Sequence, residues 1–221
     1  MPHNRFFSDQ PFKKKDLITL SSDECKHLRV MRKDIGDTIE LVNGQNQLAH
    51  AQVQSPTEVL LTEVHTSPPP SRQIILAQAL LKPKNLDLVI EKGTELGATT
   101  FLLFPAEKSD KTTLSTNQLN RCRHLTISAL KQCGRLDLPH IELRPPLAKW
   151  TTFPSNAYYG SLNSNISYTP PLKDTCLFVG PEGGFTPEEE ALLAQKAQGV
   201  RIHPYTLRAE TAALCFLSLS S

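Results

Sequence analysis

Leu177-Phe178-Val179-Gly180-Pro181-Glu182-Gly183-Gly184-Phe185-Thr186-Pro187-Glu188-Glu189-Glu190 runs from an apolar, strand-like segment through a glycine-rich turn into a strongly signalled helix. Thr186 suits an N-cap, Pro187 the first helical position, and Glu189 completes a Thr-x-x-Glu capping box. Strand, loop and helix start together form a place where backbone N–H groups can face a ligand. The same stretch also reads as a tight βα connection that needs glycine for positive φ. On its own it does not choose between the two.

Working outward, the flanking segments alternate between strand and helix patterns. Thr175–Val179 leads into the loop, a helix from Pro187 to about Ala197 leaves it, and Val200-Arg201-Ile202-His203 reads as the next strand. Leu207 to Leu214 opens an apolar helical tail that runs to the end at Ser221. Upstream, Gln73–Leu80 resembles a buried strand, and Leu86, Val89, Ile90 and Leu96 recur at helical spacing up to a stop at Gly97. Thr100–Phe104 and Ala157–Tyr159 are further strands. Between them Leu119, Cys122, Leu125, Ala129, Leu130 and Cys133 mark the apolar face of a helix over 117–133, and Gly134 ends it. Arg121, His124, Ser128 and Lys131 fall on another face. This alternation predicts an α/β domain with a mostly parallel sheet.

Ser67-Pro68-Pro69-Pro70-Ser71 is the clearest boundary, because three prolines cannot enter a ladder and favour an extended connection. It predicts one domain over 1–67 and a second over 72–221. The first reads as a small β-rich unit. Asp16–Leu20 is a strand, and Ser21 with Glu24 makes a capping box for a short helix through His27, Leu28, Met31 and Arg32. Thr38–Val42 alternates with period two, Asn43-Gly44 signals a hairpin, and Leu48–Val53 and Glu58–Val64 supply two more strands.

The 221 residues are 39% hydrophobic, enough for a globular core, and no run approaches the roughly eighteen apolar residues of a membrane span. The start Met1-Pro2-His3-Asn4-Arg5 has no apolar h-region, so no secretory leader is expected. Five scattered cysteines make no C-x-x-C pair, and seven histidines lack metal-ligand spacing. Neither a disulfide framework nor a metal site is indicated, and reduced thiols in a cytoplasmic protein are the economical reading. The net charge of +2 hides an asymmetry: residues 1–33 hold eight Lys/Arg against four Asp/Glu, and 180–199 hold one against four. Basic stretches of this kind mark either a polyanion-binding face or a solvated surface.

Familiar chemistries are excluded in turn. Gly180-Pro181-Glu182-Gly183-Gly184 is not G-x-G-x-x-G and follows a late strand, no Walker lysine is present, and G-x-S-x-G is absent. What remains is a set of motifs in a characteristic order: Arg5-Phe6-Phe7, His27-Leu28-Arg29-Val30-Met31-Arg32, Lys92-Gly93-Thr94-Glu95-Leu96-Gly97, Gln132-Cys133-Gly134-Arg135, Gly180–Phe185 and Leu207-Arg208-Ala209-Glu210-Thr211-Ala212. In these the chain resembles the RsmE family of 16S rRNA (uracil-N3)-methyltransferases, of the SPOUT class of S-adenosylmethionine enzymes.

That resemblance implies an N-terminal PUA-like β-barrel for RNA and a C-terminal SPOUT-type α/β knot, a deep trefoil on a mostly parallel sheet. It implies S-adenosylmethionine as cofactor, 16S rRNA in the small ribosomal subunit as partner, and a homodimer whose interface includes the last helix. Gly180, Pro181, Glu182, Gly183, Gly184, Leu207, Thr211 and Ala212 become the expected cofactor contacts, with a third loop near Gly160-Ser161. That third loop departs from the family's usual His-Glu-like segment. Uracil N3 carries a proton whose pKa lies roughly two units above neutral, so supplying its anion costs about 3 kcal/mol at pH 7. Arg208, whose guanidinium can bridge neighbouring oxygens, and Glu210 are the expected catalytic pair; Glu182 and Glu210 are the nearest candidate bases, and both read also as hydrogen-bonded structural carboxylates. Arg208 reads equally as a brace paired with Glu210 or Glu182. RNA contacts are expected from Arg5, Arg29, Arg32, Lys92 and Arg135. Phe6 and Phe7 fit a core better than a base stack, and Lys92 is also placed to pair with Glu95. Two rival functions stay open: a non-catalytic RNA-binding or assembly factor with the same fold, and a methyltransferase for another RNA position.

Overall fold

The computed structural model describes residues 5–221. The start Met1–Asn4, on which the expectation of no leader rests, lies outside the described residues. The chain divides into two compact units, Met1–Ser71 with Ile127–Leu138, and Arg72–Thr126 with Pro139–Ser221.

In the first unit, β1 (Arg5–Phe7), β2 (Leu17–Thr19), β3 (Thr38–Val42), β4 (Gln47–Val53) and β5 (Glu58–Thr66) form one sheet in the order β1-β3-β4-β5-β2. β1 runs parallel to β3 and the other pairs are antiparallel. The inward residues of each strand, such as Phe6, Ile18, Ile39, Leu41, Ala49 and Leu61, share one core with Leu28 of α1 (Ser22–Val30). Phe6 therefore belongs to the core, as its residue type suggests.

The capping box expected at the head of α1 is only half made. Ser21 Oγ accepts from Glu24 N at 3.3 Å, but the reciprocal half of the capping box is not made. The buried Glu24 carboxylate instead takes His27 Nδ1 at 3.2 Å and Lys131 Nζ at 2.7 Å. Asn43-Gly44 does open the β3–β4 hairpin, through a turn over 43–46. Asn43 Oδ1 accepts from the N–H groups of Gln45 and Gln47, while Gly44 (φ 71°) and Asn46 (φ 62°) take the left-handed positions.

The second unit is built on β6 (Ile74–Ala79), β7 (Thr100–Phe104), β8 (His140–Leu143), β9 (Ala157–Gly160), β10 (Thr175–Val179) and β11 (Gln198–Val200), in the order β11-β9-β10-β6-β7-β8. Every neighbouring pair is parallel. Leu76, Leu103 and Leu177 point into one apolar layer with α2 (Pro83–Glu95) and α5 (Ala209–Ser220). Ala77, Phe104 and Phe178 point into another with Trp150 and Leu193 of α4 (Pro187–Ala194). Burial on both faces is why these strands read as continuous apolar runs. This is the layered, parallel SPOUT-type arrangement.

α3 (Thr116–Cys133) ends at Gly134 (φ 93°), as its sequence predicts, but Cys133 is exposed and not part of the apolar face. α4 stops at Ala194, earlier than Ala197. The expected strand over 200–203 is shifted: β11 ends at Val200, and Arg201 leaves the sheet to exchange backbone bonds with Ile166 and Tyr168. β8 has no counterpart in the sequence reading, because its alternating polar residues sit between Pro139 and Pro145 at a sheet edge.

Candidate functional site

The chain first builds β6, β7 and β8 outward in one direction, then returns to lay β10 and β9 on the other side of β6. A reversal of this kind opens a crevice at the carboxyl ends of parallel strands. Here β9, β10 and β11 each end in a loop at that edge, and the three loops enclose a cavity of about 420 Å³. That lies within the range of small-molecule sites. Its walls come from Gly160–Asn163, Val179–Phe185 and a third segment through Ile202 and Leu207 to Ala212.

The glycine loop is held by contacts that fix its shape. Gly184, at φ 71°, donates its N–H to Pro181 O at 2.8 Å and closes the turn. A Cβ on Gly180 would lie 3.2 Å from Phe185 N, so a side chain there would push the returning backbone outward by a few tenths of an ångström. From below, the fully buried Gln78 of β6 directs its Nε2 at three carbonyls, those of Ala79, Val179 and Gly180, at 3.0, 3.4 and 3.3 Å. From the side, Glu182 Oε1 accepts from Lys82 N at 3.1 Å and Asn85 Nδ2 at 2.9 Å. α2 has Pro83 in its first turn and no side-chain cap of its own, so Glu182 supplies the cap from 100 residues away in the chain. Burial raises the Glu182 pKa, but the bonds to Lys82 and Asn85 outweigh it and the carboxyl stays below its ordinary value.

The capping box at the head of α4 is complete. Thr186 Oγ1 accepts from Glu189 N at 3.2 Å, and Glu189 Oε2 accepts from Thr186 N at 3.0 Å. Glu189 Oε1 also takes the N–H of Glu107 at 2.9 Å. The positive end of this helix is thus met by its own carboxylates, and the site is not built as a phosphate cradle. The cavity wall is largely apolar, with Leu162, Val179, Ile202 and Leu207, and the ionisable groups along it include Glu182, Glu190, Arg201 and His203.

Of the expected cofactor residues, Gly180, Pro181, Glu182, Gly183, Gly184, Leu207 and Ala212 line this cavity, together with Gly160 and Ser161. Thr211 is exposed one residue away. Arg208 occupies the N-cap position of α5, and its guanidinium is exposed without a hydrogen-bond or ion-pair partner among the described residues. It does not brace Glu182 or Glu210. Glu210 is 9% exposed, and its Oε2 has no hydrogen-bond partner among the described residues.

The expected RNA residues divide by environment. Arg29 and Arg32 are exposed at the end of α1, with no ion-pair partner among the described residues. Arg5 is buried and its Nε and NH2 group meet Glu40 Oε2, each at 3.0 Å. Arg135 is paired with Asp137. Lys92 bonds Glu91 and Glu95, each at 2.8 Å, and these bonds raise its pKa. Gln78, Asn85, Glu190, Arg201 and His203 were not singled out from the sequence. Gln78 had a signal, as the one polar residue inside the apolar run Ile74–Leu81.

Residues 67–221 match the family model of an RNA methyltransferase domain, and residues 20–63 that of an RNA methyltransferase PUA domain. The chain is 26% identical over 228 residues to the ribosomal RNA small subunit methyltransferase E of Aquifex aeolicus, covering 97% of each. It is 29% identical to the protein of the same name in Rickettsia conorii, covering 97% of this chain and 93% of that one. The crystal structure of a ribosomal RNA small subunit methyltransferase E from Neisseria gonorrhoeae bound to S-adenosyl methionine superposes with a TM-score of 0.87 at 24% identity. It covers 97% of this chain and 95% of its own, and shares its fold.

Proposed function

The chain belongs to the RNA methyltransferase family, in its small subunit rRNA methyltransferase E branch, and from that premise we propose that it transfers the methyl group of S-adenosylmethionine to N3 of a uridine in 16S rRNA. The observation that carries the proposal is the braced glycine loop facing Leu207–Ala212 across an apolar cavity. A wall with few charges suits an uncharged adenine ring, and Glu182 and Glu190 suit a cofactor bearing positive sulfonium and ammonium groups. Gly180, Gly183 and Gly184 allow backbone approach, Pro181 stiffens the loop, and Leu207 and Ala212 form the facing side, with Thr211 beside them at the surface.

The bound cofactor supplies an electrophilic methyl, so the protein's task is to position the base and favour its N3 anion. Arg208, with no carboxylate partner among the described residues, is available to meet negative charge developing on the uracil oxygens. Glu210, two residues on and with one buried oxygen unbonded among the described residues, is the carboxylate that we assign to take the N3 proton. Arg29 and Arg32 are the cations available for phosphate contacts. Arg5, Lys92 and Arg135, held by their own carboxylates, keep these parts in shape and contribute less charge to RNA. The N-terminal part, 1–67, serves RNA recognition, and 72–221 carries the reaction, a division supported by the family models at 20–63 and 67–221. Leu162 and Tyr205, exposed apolar residues on the cavity rim, suit cover by a second copy in a homodimer. Among the described residues no helix is long and apolar enough to cross a membrane, and cytoplasm is the proposed compartment.

Calorimetry with S-adenosylmethionine tests the reading. Saturable binding at one cofactor per chain is expected, and it should survive Arg29→Glu with Arg32→Glu while rRNA binding weakens. Folded protein that binds no cofactor would favour a non-catalytic RNA-binding factor.

A further inference from the structure

We propose that His50, Glu63 and His65 form a binding site for a borderline divalent transition metal, Zn²⁺ by preference, on the outer face of the β4–β5 hairpin. The three offer two imidazole nitrogens and one carboxylate oxygen, all within 4.8 Å of one another. His65 Nε2 and Glu63 Oε1 are already 3.3 Å apart, which is about the edge of a tetrahedron around an ion with ligand bonds near 2.1 Å. The His50 and His65 rings stand 6.0 Å apart at 87°. The His50 ring makes no hydrogen bond among the described residues, so its nitrogens are free to turn.

A break in the ladder creates the cluster. β4 and β5 pair His50 with Glu63 but Ala51 with Leu61, so Thr62 is an extra residue on β5. In a regular strand, Leu61 facing the core would send Glu63 and His65 inward too, since side chains alternate with period two. The bulge resets that alternation. Leu61 stays buried, Thr62 and Glu63 both turn outward, Val64 packs on the core, and His65 lies outside beside His50. Thr62 Oγ1 anchors the irregularity by donating to His50 O at 3.0 Å. Sequence spacing alone gave no metal site, because His50 lies thirteen and fifteen residues before the other two donors and shares their face only through this bulge.

Two nitrogens and one oxygen suit Zn²⁺, Ni²⁺, Co²⁺ or Cu²⁺ and are too few oxygens for Ca²⁺ or Mg²⁺. Water completes the coordination. The ion would staple the hairpin where its ladder is interrupted. The three donors share no residue with the cofactor cavity and belong to the other compact unit, so loss of the metal is expected to leave cofactor binding unchanged.

The test is a titration of chelator-treated full-length protein with Zn²⁺, followed by the histidine ring resonances and by a competing chromophoric chelator, with Co²⁺ absorption as a coordination signature. Wild type should bind one equivalent, with the His50 and His65 resonances shifting together and the thermal midpoint rising. Glu63→Gln and His65→Gln alter side chains that are more than half exposed, so folding is preserved in chelator. Each should weaken that equivalent by at least about tenfold, the loss that even an indirect contact to a metal site brings. Equal binding by wild type and both variants would place the metal on other residues and overturn the proposal, as would no binding by wild type.

Discussion

Gln78 holds the glycine loop from beneath, outside the cavity, while Glu182, a member of the loop on the cavity wall, ties it to the start of α2. Gln78→Ala removes three donor contacts from a fully buried position and leaves a void. A loss of about 2 kcal/mol in denaturant titration is expected, together with weaker S-adenosylmethionine binding. Glu182→Gln keeps the size but not the charge, and about a threefold to tenfold rise in cofactor Kd is expected with little change in turnover at saturation. The pH dependence follows from the same group. Its folded pKa is depressed, so its contribution is complete above the ordinary carboxylate value of about 4.3 and is lost as pH falls through the lower folded value. Loop order, followed by cofactor binding, should therefore decline in acid and stay level near neutrality. Cysteine reactivity gives an independent check. Burial, then the nearby Asp87 carboxylate, pushes Cys122 up to about 11, and burial raises Cys176 as well, whereas Cys133 is exposed. Alkylation followed by mass spectrometry should modify Cys133 well before Cys25, Cys122 or Cys176. Cys133 was read as apolar from its helical spacing, and periodicity could not show that the last turn of α3 leaves it in solvent.

The β10–loop–α4 element is where sequence and structure agree most closely, since glycine, proline and capping residues act locally. Two glycines in it differ in what they tolerate. A methyl at Gly180 meets the backbone of Phe185 and Gly184 at 3.2 and 3.3 Å, so Gly180→Ala should distort the turn and weaken cofactor binding most. Gly184→Ala meets open space but must hold φ near 71°, which costs about 1 kcal/mol and should show mainly as lower stability. Calorimetry and thermal unfolding on the two variants separate these outcomes; equal effects on both would contradict the assignment. Where elements depend on distant partners, local signals fell short. Ser21 and Glu24 have the spacing of a capping box, yet Lys131 and His27 claim the Glu24 carboxylate. α2 carries no cap signal because its cap, Glu182, arrives from another segment. β11 and β8 are short and polar, and pairing at the sheet decides their limits more than propensity does.

At the scale of the whole molecule, strand–helix alternation was enough for an α/β class, while the order β11-β9-β10-β6-β7-β8 was not legible in it. That order gathers the ends of β9, β10 and β11 around one cavity. It unites Gly160–Ser161, the glycine loop and Leu207–Ala212, segments that the motifs named separately. Arg208 and Glu210 sit at the start of the helix that follows, so Arg208→Lys should lower turnover while leaving cofactor Kd near wild type. The most direct measurement uses purified protein, small ribosomal subunits that lack the modification, and S-adenosylmethionine carrying a deuterated methyl group. Nucleosides released from the 16S rRNA are then resolved by mass spectrometry. Labelled 3-methyluridine formed by wild type and strongly reduced with Arg208→Lys is the predicted result. Label on another position, or none with cofactor-bound protein, would contradict methyl transfer to uridine N3.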